Sequence, residues 1–372
     1  MSSKKISLIQ AFLLLLITTA VTNQTLVIPL VLGVAKRDAW ISVLLSATPG
    51  FILIFVMKVL MNSTSNESIV SWVRTHFGSF AGWIIKLAFL AYLFGTSLVT
   101  LKDTTNWVDA TFLPETPRVL IAATLTLLCF FAANAGFWSI TICAGILLPF
   151  FIILEIFLLV TNLQYKNYLY VLPLMEKGLG PVIHGAVFST HGVLEIIILL
   201  LIRQHLQQKV KTSFLLVYVI VSIGLILGTM LDIITNFSPN EVAVQRYPTF
   251  EQWGLVSLGK NISHLDFLSI YEWLSGSFIR ISLCMYLIPE VLQLRSRKSH
   301  RITLISMTII MLIVPIFPIS DPTFVNFLRD WYYPVTLALI AGVMLLLILF
   351  AAIYRLRGRG RENHAANPNT TH

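Results

Sequence analysis

The sequence predicts an all-α polytopic membrane protein, ten transmembrane helices arranged as a five-plus-five inverted repeat. Three observations predict it. The 372-residue chain is 56% hydrophobic and only 12% charged, whereas a soluble domain is about a quarter charged. Its apolar residues gather into runs of roughly 20, the length that crosses a bilayer. The first and sixth runs are each interrupted by consecutive polar residues at equivalent places, and inverted-repeat transporters break the first helix of each five-helix half.

The first span, 7–32, is apolar until Thr22-Asn23-Gln24-Thr25 and then resumes through Pro29. Proline lacks an N–H and clashes with the preceding turn. Irregular backbone at membrane depth is tolerated only where protein or a watery cavity covers it. A signal anchor followed by a short loop is the competing reading, but it leaves the apolar second half without a place. No small-residue cleavage site follows, so this run is expected to stay in the mature chain. The other spans are 39–60, 81–101, 119–136, 138–160, 182–202, 214–237, 265–288, 302–319 and 331–354. Together they form one domain, 1–354, followed by a basic tail, 355–372, expected to be disordered, cytoplasmic and near anionic headgroups. Spans four and five meet at Ala135-Gly136-Phe137, short enough to demand a hairpin. The segment 62–74 reads as a short amphipathic helix on the membrane surface. Segments 162–181 and 238–263 are long enough to cover the outer mouth of a cavity.

Lysine and arginine set the orientation. With the N-terminus inside, sixteen of the 26 fall on the inner side, nine on the outer side, and Arg280 lies deep in span eight. Both termini are therefore expected in the cytoplasm. Topology accounts for most of the net charge of +9, so nucleic acid is not an expected partner. Cys129, Cys143 and Cys284 fall within apolar runs without metal spacing and read as small core residues. The sequence has no phosphate loop, nucleophile elbow or zinc pattern; no enzyme activity, cofactor or metal is expected.

Ionisable groups inside spans are expensive and point to function. Glu155 and Asp232 lie near span ends, within reach of headgroups. Span six carries Ser189-Thr190-His191-Gly192 and then Glu195. His191 and Glu195, at i and i+4, share a face of an intact helix, and a carboxylate beside the imidazole favours its protonated form. An ordinary interhelical hydrogen-bond pair is the alternative. Span eight carries Tyr271, Glu272, the small patch Ser275-Gly276-Ser277 suited to close packing, and Arg280. Glu272 and Arg280 are about 12 Å apart along the helix, so Arg280 is expected to neutralise Glu195 or Glu272 across helices. The candidate ligand-binding residues are thus Thr22, Asn23, Gln24, Thr25, Ser189, Thr190, His191, Gly192, Glu195, Tyr271 and Glu272.

The opening ISLIQAFLLLL, the Ile28-Pro29 step and Asp38-Ala39-Trp40-Ile41-Ser42 resemble the B-subunit family of spore germinant receptors. Asn167–Pro173 followed by Gly178, and Arg246-Tyr247-Pro248, are similar to its loops before spans six and eight. The likeness covers nearly the whole chain. It implies the ten-span amino acid–polyamine–organocation (LeuT-like) fold and a nutrient sensor that triggers spore germination. It also implies assembly with a larger A subunit and a lipoprotein C subunit in the inner spore membrane. A small germinant, an amino acid by default, would bind between the breaks of spans one and six. An H⁺- or Na⁺-coupled amino acid permease is the alternative. Where relatives commonly carry glycines in the first break, this chain has Thr22 to Thr25, so a different ligand preference is expected.

Overall fold

The computed structural model describes residues 5–64, 67–258, 262–263, 265–294, 296–317 and 319–365. Among them, nine helical stretches are long and apolar enough to cross a membrane. The fold is that of a polytopic, helical membrane protein.

The first stretch, Leu8–Ser63, is 56 residues long and folds back on itself. Ser7 caps α1 (Leu8–Thr22): its hydroxyl accepts from Gln10 N–H at 3.2 Å, and Gln10 accepts in return from Ser7 N–H at 2.9 Å. The polar residues at the head of this run thus satisfy a helix terminus. The helix widens into a π turn over Asn23–Val27 and continues as α2 (Ile28–Ala35), which ends at Lys36 with φ 48°. After a 3₁₀ turn, α3 (Ala39–Leu45) and α4 (Ala47–Ser63) return. The reversal shows at Gly185, where an added Cβ would lie 3.2 Å from Val31 Cγ1 and 2.6 Å from Ser42 Oγ. Asp38, buried at the turn, accepts from Met175 N–H at 3.0 Å. The motif at 38–42 thereby fastens the loop that precedes the sixth span.

Helix α5 (Ile69–Thr111) bends at Gly78 (φ 90°), leaving residues 69–77 as a short arm with a buried apolar face, the amphipathic segment of the sequence shifted a few residues on. Helices α6 (Arg118–Ala135) and α7 (Phe137–Thr161) form the expected hairpin around Gly136 (φ 103°), a backbone conformation that favours glycine. Helices α8 (Leu179–Leu194) and α9 (Ile198–Ile202) are joined through a 3₁₀ turn at Glu195–Ile197. Next comes α10 (Thr212–Asn236), then the short α11 (Pro239–Val242) and α12 (Pro248–Gly254) and a two-residue hairpin, β1 (Ser257–Leu258) with β2 (Ile262–Ser263). Helix α13 (Leu268–Val291), α14 (Arg297–Ile313), α15 (Asp321–Phe327) and α16 (Tyr333–Ala365) complete the order, a second π turn at Leu328–Tyr332 joining the last two. Helix α16 runs eleven residues past the expected span end at 354, into the basic tail; residues 366–372 lie outside those described.

The layering is that of a membrane protein. Helix α13 is the least apolar of the crossing stretches, yet 83% of its best window is buried; Leu179–His205 reaches 89%, and the very apolar α7 stretch only 22%. Lipid takes the apolar faces, and the polar residues turn inward. Close packing at the small patch follows: a Cβ at Gly276 would lie 2.5 Å from Val21 Cβ, and the hydroxyls of Ser277 and Thr104 meet at 2.7 Å. At the expected inner face, Ile6 and Leu206 form a parallel β-bridge, Ile6 N–H donating to His205 O at 2.8 Å and Gln207 N–H to Ile6 O at 2.9 Å. This ties the head of the first span to the tail of the sixth.

Candidate functional site

The two polar interruptions meet. Asn23, on the π turn, lies so close to Gly192 that a Cβ at 192 would overlap its amide oxygen. Threonine hydroxyls already bond helix carbonyls here: Thr18 donates to Leu15 O at 2.9 Å and Thr22 to Thr18 O at 2.9 Å. Asn23 N–H faces both Ala20 O and Thr19 O. The first span stays helical through a π turn at Asn23–Val27, and the expected break is not seen among the described residues. In span six the change of helix type falls at Glu195, just after the polar cluster.

At the centre, the Arg280 guanidinium pairs with Glu195, both buried. Arg280 also donates to Thr18 O at 3.1 Å, and the single Thr22 hydroxyl proton is shared between Thr18 O and Glu195 Oε1, the latter at 3.0 Å. Of the two acids the sequence offers to Arg280, the fold selects Glu195. Around this pair, Asn23 Oδ1, both His191 ring nitrogens, Glu195 Oε2, Arg280 Nε and the hydroxyls of Tyr92 and Tyr333 are buried with no hydrogen-bond partner among the described residues. Tyr92 and Tyr333 lie within electrostatic reach of Arg280 and Glu195. A small void of about 10 Å³, the room of a single water, adjoins Thr19, Asn23, Gln24 and Ser222.

The remaining candidates disperse. His191 does not pair with Glu195, correcting the i, i+4 expectation: the helix changes type at Glu195, Arg280 and Thr22 both engage its Oε1, and the imidazole sits edge-on to Tyr333 with centroids 4.8 Å apart. Ser189 and Thr190 spend their hydroxyls on Gly185 O (3.3 Å) and Ala186 O (2.7 Å). Gln24 points the other way and donates to Glu155. Tyr271 donates to Leu147 O at 3.0 Å, and Glu272 accepts from the Trp253 indole at 3.0 Å, so neither faces the Glu195–Arg280 pair. Asp232 does not reach for headgroups; it is buried against Lys166 (2.7 Å) and Gln252 (2.5 Å).

A second constellation escaped sequence reasoning. Arg246, in the loop after α10, is held by Asp103 of α5 (2.5 Å) and Asp321 of α15 (2.7 Å), and donates to Thr25 O of the π turn at 3.4 Å. Its guanidinium lies 4.4 Å from the Tyr247 ring centroid. Asn106 adds a hydrogen bond to Asp321 at 3.1 Å. Burial works against its charge, but Asp103, Tyr247 and Asp321 outweigh it and hold the guanidinium above its ordinary pKa. One loop arginine thus locks α5, α15 and the π turn together. The signal was present in the run Lys102 to Asn106, polar residues closing the third span.

A buried ion pair between the sixth span and α13, beside a charged clamp, defines a class: a polytopic helical membrane protein with a polar site buried among its helices. The family model described as "Spore germination protein" matches residues 5–323. Spore germination protein XB of Bacillus anthracis is 36% identical over 354 residues, covering 95% of this chain and 99% of that protein. Spore germination protein KB of Bacillus subtilis (strain 168) is 21% identical over 77% of each chain. The putative spore germination protein YfkT of the same organism is 24% identical over 68% of this chain and 70% of its own. The chain belongs to the permease-like family of spore germination proteins.

Proposed function

We propose that this chain is the nutrient-sensing transmembrane subunit of a spore germinant receptor, binding a small germinant beside the Glu195–Arg280 pair. The observation that carries the reading is the convergence of unpartnered buried groups there. Arg280 Nε and the tyrosine hydroxyls suit a carboxylate, and Glu195 Oε2 and Asn23 Oδ1 suit an ammonium; an amino acid offers both. The folded-back first stretch makes ten spans of the nine crossing candidates, and the altered turns in spans one and six fit a five-plus-five repeat. The clamp at Arg246 closes the outer route and has to open for a germinant to enter. A ligand shifts the open–closed balance only through its different affinity for the two states, and the partner A and C subunits read that shift in the inner spore membrane. Both termini are cytoplasmic in this reading.

The test is the germination response of spores carrying Y333F or N23A to a panel of amino acids. Removing one hydrogen bond to a charged group costs about 1.5–3 kcal/mol, so the half-effective concentration is expected to rise roughly ten- to hundredfold. An unchanged response in folded variants overturns the site. A coupled permease is the second reading, favoured by Glu155 and Glu272, whose hydrogen-bond partners are the neutral Gln24 and Trp253. Uptake of labelled amino acid into proteoliposomes by the chain alone would establish it.

A further inference from the structure

We propose that the cleft at the bend of α5 binds the phosphate of an anionic phospholipid headgroup. The bend at Gly78 sets the arm 69–77 against the last helix, where Trp72 meets Tyr354 (centroids 5.6 Å) and Phe77 stacks on Phe350 (4.5 Å). With its apolar face so occupied, the arm turns Ser71 and Arg74 toward a cleft of about 900 Å³, shared with Lys86, Gln204 and Glu290. Its height in the membrane is marked by Phe80 and Trp83, 80% and 61% exposed, since exposed tryptophan collects at the headgroup layer. Lys86 Nζ lies 4.8 Å from the Trp83 ring centroid.

The charge balance of the cleft selects an anion. The acid in it, Glu290, is engaged by Gln204 (2.9 Å), the Tyr286 hydroxyl (3.4 Å) and His205 (3.7 Å). Arg74 and Lys86 belong to none of the ion pairs among the described residues. A guanidinium, an ammonium and the hydroxyls of Ser68 and Ser71 match a phosphodiester, and the site lies where anionic headgroups are fixed. Free phosphate shares this chemistry, and the experiment separates the two. The inference is independent of the germinant site.

The full-length protein, delipidated in detergent, is titrated with dioctanoyl phosphatidylglycerol, dioctanoyl phosphatidylcholine and inorganic phosphate, and bound lipid is counted by native mass spectrometry. Phosphatidylglycerol is expected to bind at least tenfold more tightly than phosphatidylcholine. R74A/K86A should lose roughly thirtyfold, at the strength expected of two interfacial cations, and R74K/K86R should keep most of the binding. If the double variant misfolds, R74Q at the exposed Arg74 gives the same reading at smaller amplitude. Equal affinity for the two lipids, unchanged binding without the cations, or displacement by inorganic phosphate at the same concentration overturns the proposal.

Discussion

Replacing Arg246 with alanine isolates the Arg246 clamp. Asp103 keeps 2% of its side chain exposed, Arg246 20% and Asp321 33%. The Asp321 contact is partly solvated and is worth at most about 1 kcal/mol. The Asp103 contact is different, because removing the arginine strands a buried carboxylate, which costs about 3–5 kcal/mol. Arg246 is itself partly wet, so the lower end applies, and about 3 kcal/mol changes an equilibrium roughly a hundredfold. The clamp spans α5, α15 and the π turn, so this cost falls on the closed state. A cysteine at Leu26, buried beneath the loop, reports opening through its rate of alkylation by an impermeant maleimide. R246A should raise that rate about a hundredfold, and D103N/R246A should recover most of it by removing the stranded charge. Alkylation of R246A at the parent rate, or a double variant faster than R246A, would refute the argument.

Other substitutions probe the centre. R280A leaves Glu195 buried without its cation and should lower stability by about 3–5 kcal/mol, seen as a reduced unfolding midpoint in detergent; E195Q/R280M should recover much of it. G192A should cost about 1–3 kcal/mol by overpacking against Asn23, and N23G should relieve it, a rescue that a purely local helix effect would not show. D38A should loosen the loop before α8 by removing the acceptor of Met175 N–H, read as faster hydrogen exchange at 174–176, with the unfolding midpoint falling by no more than the value of one hydrogen bond, about 1 kcal/mol.

Much of the fold was legible because lipid imposes a length and a composition on every crossing. The hairpin at Gly136 and the return of the chain near Asp38 are written locally, in a glycine and in a polar turn. Within the candidate site, Thr22, Asn23, Gly192 and Glu195 converge because polar residues inside a span have nowhere to go but inward. Their partners were not legible to the same degree. Arg280 had two acids available, and only the rotation of α13 against α1 selects Glu195. Gln24 and Asn23 are adjacent in sequence, yet the π turn sends one toward Glu155 and the other toward Gly192. The Arg246 clamp joins residues 143 and 75 positions apart, and one sequence carries no local mark of such a pairing.

The backbone bridge between Ile6 and Leu206 bears on how the first and sixth spans can move. It joins the head of the first span to the tail of the sixth, so a tilt of either is transmitted to the other. Those backbone bonds oppose any movement that separates the two ends. A sensor can leave them intact and transmit the tilt itself, turning a few contacts among buried helices into a displacement that a neighbouring subunit can detect.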